Sequence, residues 1–120
     1  MEKNILVIDD DEDVLSVLED ILIYSNFKVK GISRTDGIFD IIENFGPNLI
    51  LMDHILAGVN GGDLCQQIKL DGRTSHLPVV LISAYPKVLQ SFDRYGCDAF
   101  IAKPFDMDDL INCVNKYLIS

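Results

Sequence analysis

Acidic residues gather at the carboxyl ends of the apolar runs in this sequence. Asp9, Asp10 and Asp11 follow the run at 5–8, Asp53 follows the run at 49–52, Ser83 closes the run at 79–82, and Lys103 lies just past the run at 99–102. Carboxylates brought within a few ångströms repel by ~1 kcal/mol per pair in water and by ~4 kcal/mol at an effective dielectric of about 20, so a counter-charge is required. A hard divalent cation meets that need. Mg²⁺ takes a few carboxylate oxygens, keeps several waters and completes its shell with phosphate oxygens, which points to phosphoryl chemistry. Lys103 supplies a fixed positive charge to pair with Asp53 and then with a transferred group. Ser83 offers a hydroxyl donor to a phosphoryl oxygen. Each feature alone is ordinary, because acids are favourable at helix starts and a single Ser or Lys near a strand end is commonplace. Their combination on one edge is not.

That combination needs a scaffold that brings distant loops together. The four runs have the length and bounding residues of strands buried on both faces, as in a parallel sheet, and a weaker fifth strand is expected at 27–32. Between them the apolar residues fall at helical spacing: Val14, Leu15, Leu18, Ile21 and Leu22, then Ile38, Ile41, Ile42 and Phe45. Leu64, Cys65 and Ile68 mark a third helix, Val88, Leu89, Phe92 and Tyr95 a fourth, and Met107, Leu110, Ile111, Val114 and Leu118 a fifth. Pro86 suits a helix start, Gly96 a helix stop, and Asp106 a cap on the last helix. Five strands alternating with five helices imply an α/β doubly wound sheet with right-handed crossovers. Ligands bind such sheets outside the carboxyl ends of the strands, where these acids, Ser83 and Lys103 converge.

Composition narrows the remaining choices. A chain of 120 residues suits a single domain over 1–120. Its apolar residues, 48% of the total, are dispersed in short runs, so no stretch spans a bilayer. The first residues lack a signal peptide's order of charge, apolar stretch and small residues, and the expected location is cytoplasmic. A net charge of −9 without a basic cluster excludes direct contact with nucleic acid. Cys65, Cys97 and Cys113 are an odd, widely spaced set, read as packing residues rather than a disulfide framework or zinc site.

Four stretches carry a resemblance over essentially the whole chain: ILVIDDDEDV at 5–14, NLILMDHILAGVNG at 48–61, VVLISA at 79–84 and DAFIAKPF at 98–105. They resemble the CheY-like receiver domains of two-component response regulators. The resemblance implies a flavodoxin-like, five-stranded parallel sheet in the order 2-1-3-4-5. It implies that Asp53 is the phosphoacceptor, that Asp10, Asp53 and the backbone carbonyl of Ile55 bind Mg²⁺ directly, and that Asp9 acts through a bound water. Ser83 would be the switch hydroxyl, Phe100 the aromatic switch residue, and Lys103 the site lysine, followed by a cis bond to Pro104. The phosphoryl donor would be a sensor histidine kinase or a histidine phosphotransfer protein, and the recipient of the signal an unidentified downstream protein or output domain. Such a chain is no enzyme in the ordinary sense, but a phosphoacceptor that assists its own phosphorylation and dephosphorylation. Its fourth helix, fifth strand and fifth helix would form the responsive face.

Some residues depart from that pattern or invite other readings. Ala57 and Asn60 stand where the family often has Pro and Asp, and Ile55 and Tyr85 are expected to shield an acyl phosphate from water. Asp11 reads as a helix cap rather than a third metal-site acid, His54 as a surface residue, and His76 as a loop residue without a role. An EF-hand fails because Val14 stands where its loop needs Gly. An aspartyl phosphatase of the haloacid dehalogenase type needs a different residue at Asp13 and a longer chain. A flavin site would need a Gly-rich phosphate loop where this chain has DDDED. A receiver-like interaction module that is never phosphorylated would not require the complete acid, Ser and Lys set.

Overall fold

The computed structural model describes residues 3–56, 59–84 and 96–118. Its elements are β1 (Asn4–Ile8), α1 (Glu12–Tyr24), β2 (Lys28–Ile32), α2 (Ile38–Phe45), β3 (Leu49–Asp53), α3 (Gly61–Leu70), β4 (Val79–Ser83), β5 (Ala99–Ala102) and α4 (Met107–Leu118). A short antiparallel ladder of Ile55–Leu56 with Val59–Asn60 joins β3 to α3. The five strands form one parallel sheet in the order β2-β1-β3-β4-β5, as expected. The expected fourth helix, with Pro86, Val88, Leu89, Phe92 and Tyr95, lies outside the described residues, as does Tyr85.

Alternation along the central strands divides the core into two layers, because successive side chains point to opposite faces. Leu6, Ile8, Ile50, Met52, Val79 and Leu81 meet Ile38 and Ile42 of α2 and Leu64, Cys65 and Ile68 of α3. Ile5, Val7, Leu49, Leu51, Val80 and Ile82 meet Leu15, Leu18 and Leu22 of α1 and Leu110 and Val114 of α4. Each such side chain contributes about 1.5–3 kcal/mol on burial. The run at 99–102 differs from its expectation: Ile101 alone of the four is buried, because β5 is an edge strand with β4 as its single neighbour.

Local chemistry sets the helix ends. The Asp11 carboxylate accepts from the N–H groups of Asp13 and Val14, at 3.0 and 3.3 Å, which fixes the start of α1. Asn60 does the same for α3 through Gly62 and Asp63, and Asp106 accepts from Asp108 before α4. Gly46 ends α2 in the left-handed region at φ 67°, where its N–H donates to Ile42.

The amino end of the sheet is tied down by polar contacts. Asp98 Oδ2 accepts from Lys69 Nζ at 3.0 Å and from the Val79 N–H at 2.8 Å, while Tyr117 donates to the Asp98 carbonyl. Asn48 accepts from the Asn4 N–H, and the Asn4 amide donates to the carbonyls of Phe45 and Gly46.

Candidate functional site

Strand register alone assembles most of the site. Ile8 pairs with Met52, Asp53 with Ile82, and Ser83 with Ala102, so Asp9, Asp53, Ser83 and Lys103 emerge at nearly one level of the carboxyl edge. The Lys103 N–H donates to the Ser83 carbonyl at 2.9 Å, holding the end of β5 against β4. The Lys103-Pro104 bond is cis, as the resemblance implied. Asp9, Asp10, Asp11, Asp53, Ser83, Ala84 and Lys103 line a cleft of about 490 Å³.

Lys103 Nζ donates to Asp53 Oδ1 at 3.1 Å and lies 3.6 Å from Asp9 Oδ2. Asp9 is buried; its Oδ1 accepts from the Asp11 N–H at 2.9 Å, whereas its Oδ2 is buried with no hydrogen-bond partner among the described residues. Asp10 is exposed. One carboxylate oxygen from each of Asp9, Asp10 and Asp53 lies within 4.8 Å of the others. Asp11 is occupied as the α1 cap and stands apart from that group, in line with its reading.

Among the described residues, the aspartates lining this cleft outnumber its cations. Burial pushes the Asp53 carboxyl above its ordinary value against the hydrogen bond from Lys103, and the neighbouring charge of Asp9 pushes the same way. Burial likewise raises Asp9, opposed by the Asp11 N–H and by Lys103. For Lys103, burial favours the neutral amine, but the hydrogen bond to Asp53 and the charges of Asp53 and Asp9 outweigh it and hold the ammonium charged. Among the described residues, Lys103 faces a group of carboxylates that exceeds its charge.

The orphaned Asp9 oxygen and the all-oxygen donor set fit a hard divalent cation such as Mg²⁺.

The loop after β3 closes over the strand end more tightly than its sequence suggested. A Cβ on Gly61 would stand 2.3 Å from the Asp53 carbonyl oxygen and 2.9 Å from that of His54, so only glycine fits. The Gly61 N–H donates to the His54 carbonyl at 2.6 Å. His54 is therefore not the surface residue expected from its sequence position: it is half-buried, and both its ring nitrogens are shielded. The backbone of Ile55 enters the ladder beside it, while the side chain of Ile55 lies outside the description.

Ser83 and Phe100 are on the same face of the sheet, since Leu81 pairs with Phe100 and Ser83 with Ala102. Ser83 is buried, and Phe100 is half-buried against the layer that contains α3. The expected switch pair is thus placed as diagonal neighbours. Two contacts escaped the sequence reading: the close approach at Gly61, signalled only by a glycine at the loop's end, and a meeting of Cys65 with Cys97, signalled by nothing in their spacing.

Known proteins similar to this chain are numerous. Residues 5–115 match the response regulator receiver domain family. The response regulator Rre1 of Synechocystis is 32% identical over 121 residues, an alignment covering 96% of this chain and 51% of Rre1. The polar-differentiation response regulator DivK of Brucella anthropi is 27% identical, with 98% of both chains covered. The chain thus spans about half the length of Rre1 and nearly all of DivK. The crystal structure of a CheY-like response regulator receiver domain protein from Methanospirillum hungatei superposes with a TM-score of 0.87 at 27% identity, covering 98% of this chain and 94% of that one. With the register, the acidic cleft and these matches in agreement, the chain belongs to the response regulator receiver domain family of two-component signalling.

Proposed function

We propose that residues 1–120 form one receiver unit in which Asp53 accepts a phosphoryl group in a Mg²⁺-dependent reaction. The observation that carries this reading is the 3.1 Å contact of Asp53 Oδ1 with Lys103 Nζ, set in a cleft that gathers further carboxylates around the same lysine. The donor is a phosphohistidine on a sensor histidine kinase or a histidine phosphotransfer protein. Asp10, Asp53 and the backbone carbonyl of Ile55 would hold the metal directly, and Asp9 through a water. Bound there, the ion offsets charge on the phosphoryl oxygens.

The chain's own residues do the rest by position and charge. An Asp53 carboxylate oxygen attacks phosphorus in line, the P–O bond forms as the P–N bond breaks, and the imidazole leaves. Lys103 passes from the carboxylate to a phosphoryl oxygen. Ser83 donates its hydroxyl to another, which draws it from its resting place and frees space that Phe100 can fill. β5 and α4, with the segment before them, then present an altered face to a downstream protein or output domain. A change of 1–3 kcal/mol between the two states gives roughly a 5- to 150-fold change in partner affinity.

This is signalling rather than turnover, and the protein assists its own phosphorylation and dephosphorylation without acting on a further substrate. A cytoplasmic site of action belongs to the same reading; among the described residues no helix is long and apolar enough to cross a membrane. Incubation with Mg²⁺ and a small acyl-phosphate donor, followed by intact-mass measurement, tests the reading. One phosphoryl group should be gained by the unaltered chain and none by Asp53→Asn; equal gain in both, or none in either, contradicts it.

A further inference from the structure

Outside the acidic cleft, two thiols meet. Cys65 Sγ on α3 and Cys97 Sγ, on the segment entering β5, are 3.1 Å apart. Cys65 is fully buried, whereas Cys97 is only partly so. A disulfide requires about 2.05 Å between sulfurs, so closure asks for an approach of roughly 1 Å. The flanking residues already hold the two segments together. Lys69, one helical turn beyond Cys65, donates to Asp98 Oδ2 at 3.0 Å, and the Gly96 backbone lies so close that a Cβ there would be 3.7 Å from Lys69 Cβ. Cys97 is thus bracketed by two neighbours that both contact the helix bearing Cys65.

We propose that Cys65 and Cys97 are an oxidisable dithiol that closes to an intramolecular disulfide on reaction with a peroxide. The proton shared between the thiols pulls Cys97 below the ordinary thiol value and pushes Cys65 up, which agrees with exposure in making Cys97 the attacking sulfur. Its thiolate attacks one peroxide oxygen; the S–O bond forms, the O–O bond breaks, and the departing hydroxide takes a proton to become water. The Cys65 sulfur then attacks Cys97, forming S–S and breaking S–O, and the released hydroxide takes the Cys65 proton. Both sulfurs are oxidised, and the peroxide is reduced to two waters. The bridge staples α3 to the entry of β5, three residues before Phe100. It stands independently of any role for Asp53.

The test uses the full chain treated with hydrogen peroxide, unfolded and alkylated without reductant, then weighed and peptide-mapped. The alkylatable cysteines should fall from three to one, Cys113, in a monomer lighter by two hydrogens before alkylation, with a peptide joining Cys65 to Cys97 that dithiothreitol releases. Cys113→Ser should form the same bridge. In Cys97→Ser, Cys65 and Cys113 should both remain alkylatable. Three alkylatable cysteines after peroxide, a bridge to Cys113, a cross-linked dimer, or arrest at a sulfinic acid on Cys97 would each overturn the proposal.

Discussion

At the amino end of the sheet, Asp98 Oδ2 accepts hydrogen bonds from both Lys69 and Val79; at the carboxyl end, Asp9 Oδ2 is buried 3.6 Å from Lys103 Nζ and accepts no hydrogen bond among the described residues. The same strands run between the two ends. At the first, one carboxylate ties α3, β4 and the start of β5 together, and a tyrosine from α4 holds its backbone. At the second, Asp9, Asp10 and Asp53 gather beside Lys103, and burial raises Asp9 and Asp53 toward protonation. The difference separates anchoring from readiness. Compensated charge fixes the fold, whereas a surplus of carboxylates favours a bound cation.

The largest expected effect tests how tightly the ready end is built. Gly61→Ala places a methyl against the Asp53 and His54 carbonyls and should cost about 3 kcal/mol in urea unfolding, while also displacing the acceptor. Next comes the anchored end. Asp98→Ala removes the ion-pair partner of Lys69, which keeps the Leu77 carbonyl, and the acceptor of the Val79 N–H, and should lower stability by about 2 kcal/mol, with no need of metal to reveal it.

At the ready end the sign should reverse. Asp53→Asn removes repulsion from the metal-free protein and should raise its stability by about 1 kcal/mol, read as a higher Tm. Added Mg²⁺ should then raise the Tm of the unaltered chain more than that of the variant.

The smallest effect is a slope. Asp9 and Asp53 have folded-state pKa values raised above 3.8, so the folded state binds more protons than the unfolded one between that value and the raised ones. Stability of the metal-free protein should therefore fall as pH rises through this window. Lys103, raised above 10.5, contributes fully below that value and does not mask the slope. Thermal melts across the acidic range should show a shallower fall for Asp53→Asn than for the unaltered chain.

Much of this was legible before any coordinates. Asp9, Asp53, Ser83 and Lys103 each end an apolar run, and a parallel sheet leaves such ends nowhere to go but one edge. Asp11 and Asp106 announced themselves as caps because a short acid before a helical pattern has few better uses. Other features depended on distances that spacing does not encode. The shielding of His54 and the close backbone approach at Gly61 are matters of tertiary distance, as is the Cys65–Cys97 meeting between α3 and the entry to β5. The exposure of β5 reflects its place at the sheet's edge, which an apolar run cannot reveal.

The most direct measurement locates the phosphoryl group itself. After incubation with Mg²⁺ and an acyl-phosphate donor, borohydride reduces an aspartyl phosphate to homoserine, which peptide sequencing by mass spectrometry places on a single residue. Homoserine at position 53, and at no other aspartate, is the predicted result. Homoserine at Asp9 or Asp10 instead, or a phosphorylated chain with Asp53 unchanged, would contradict it.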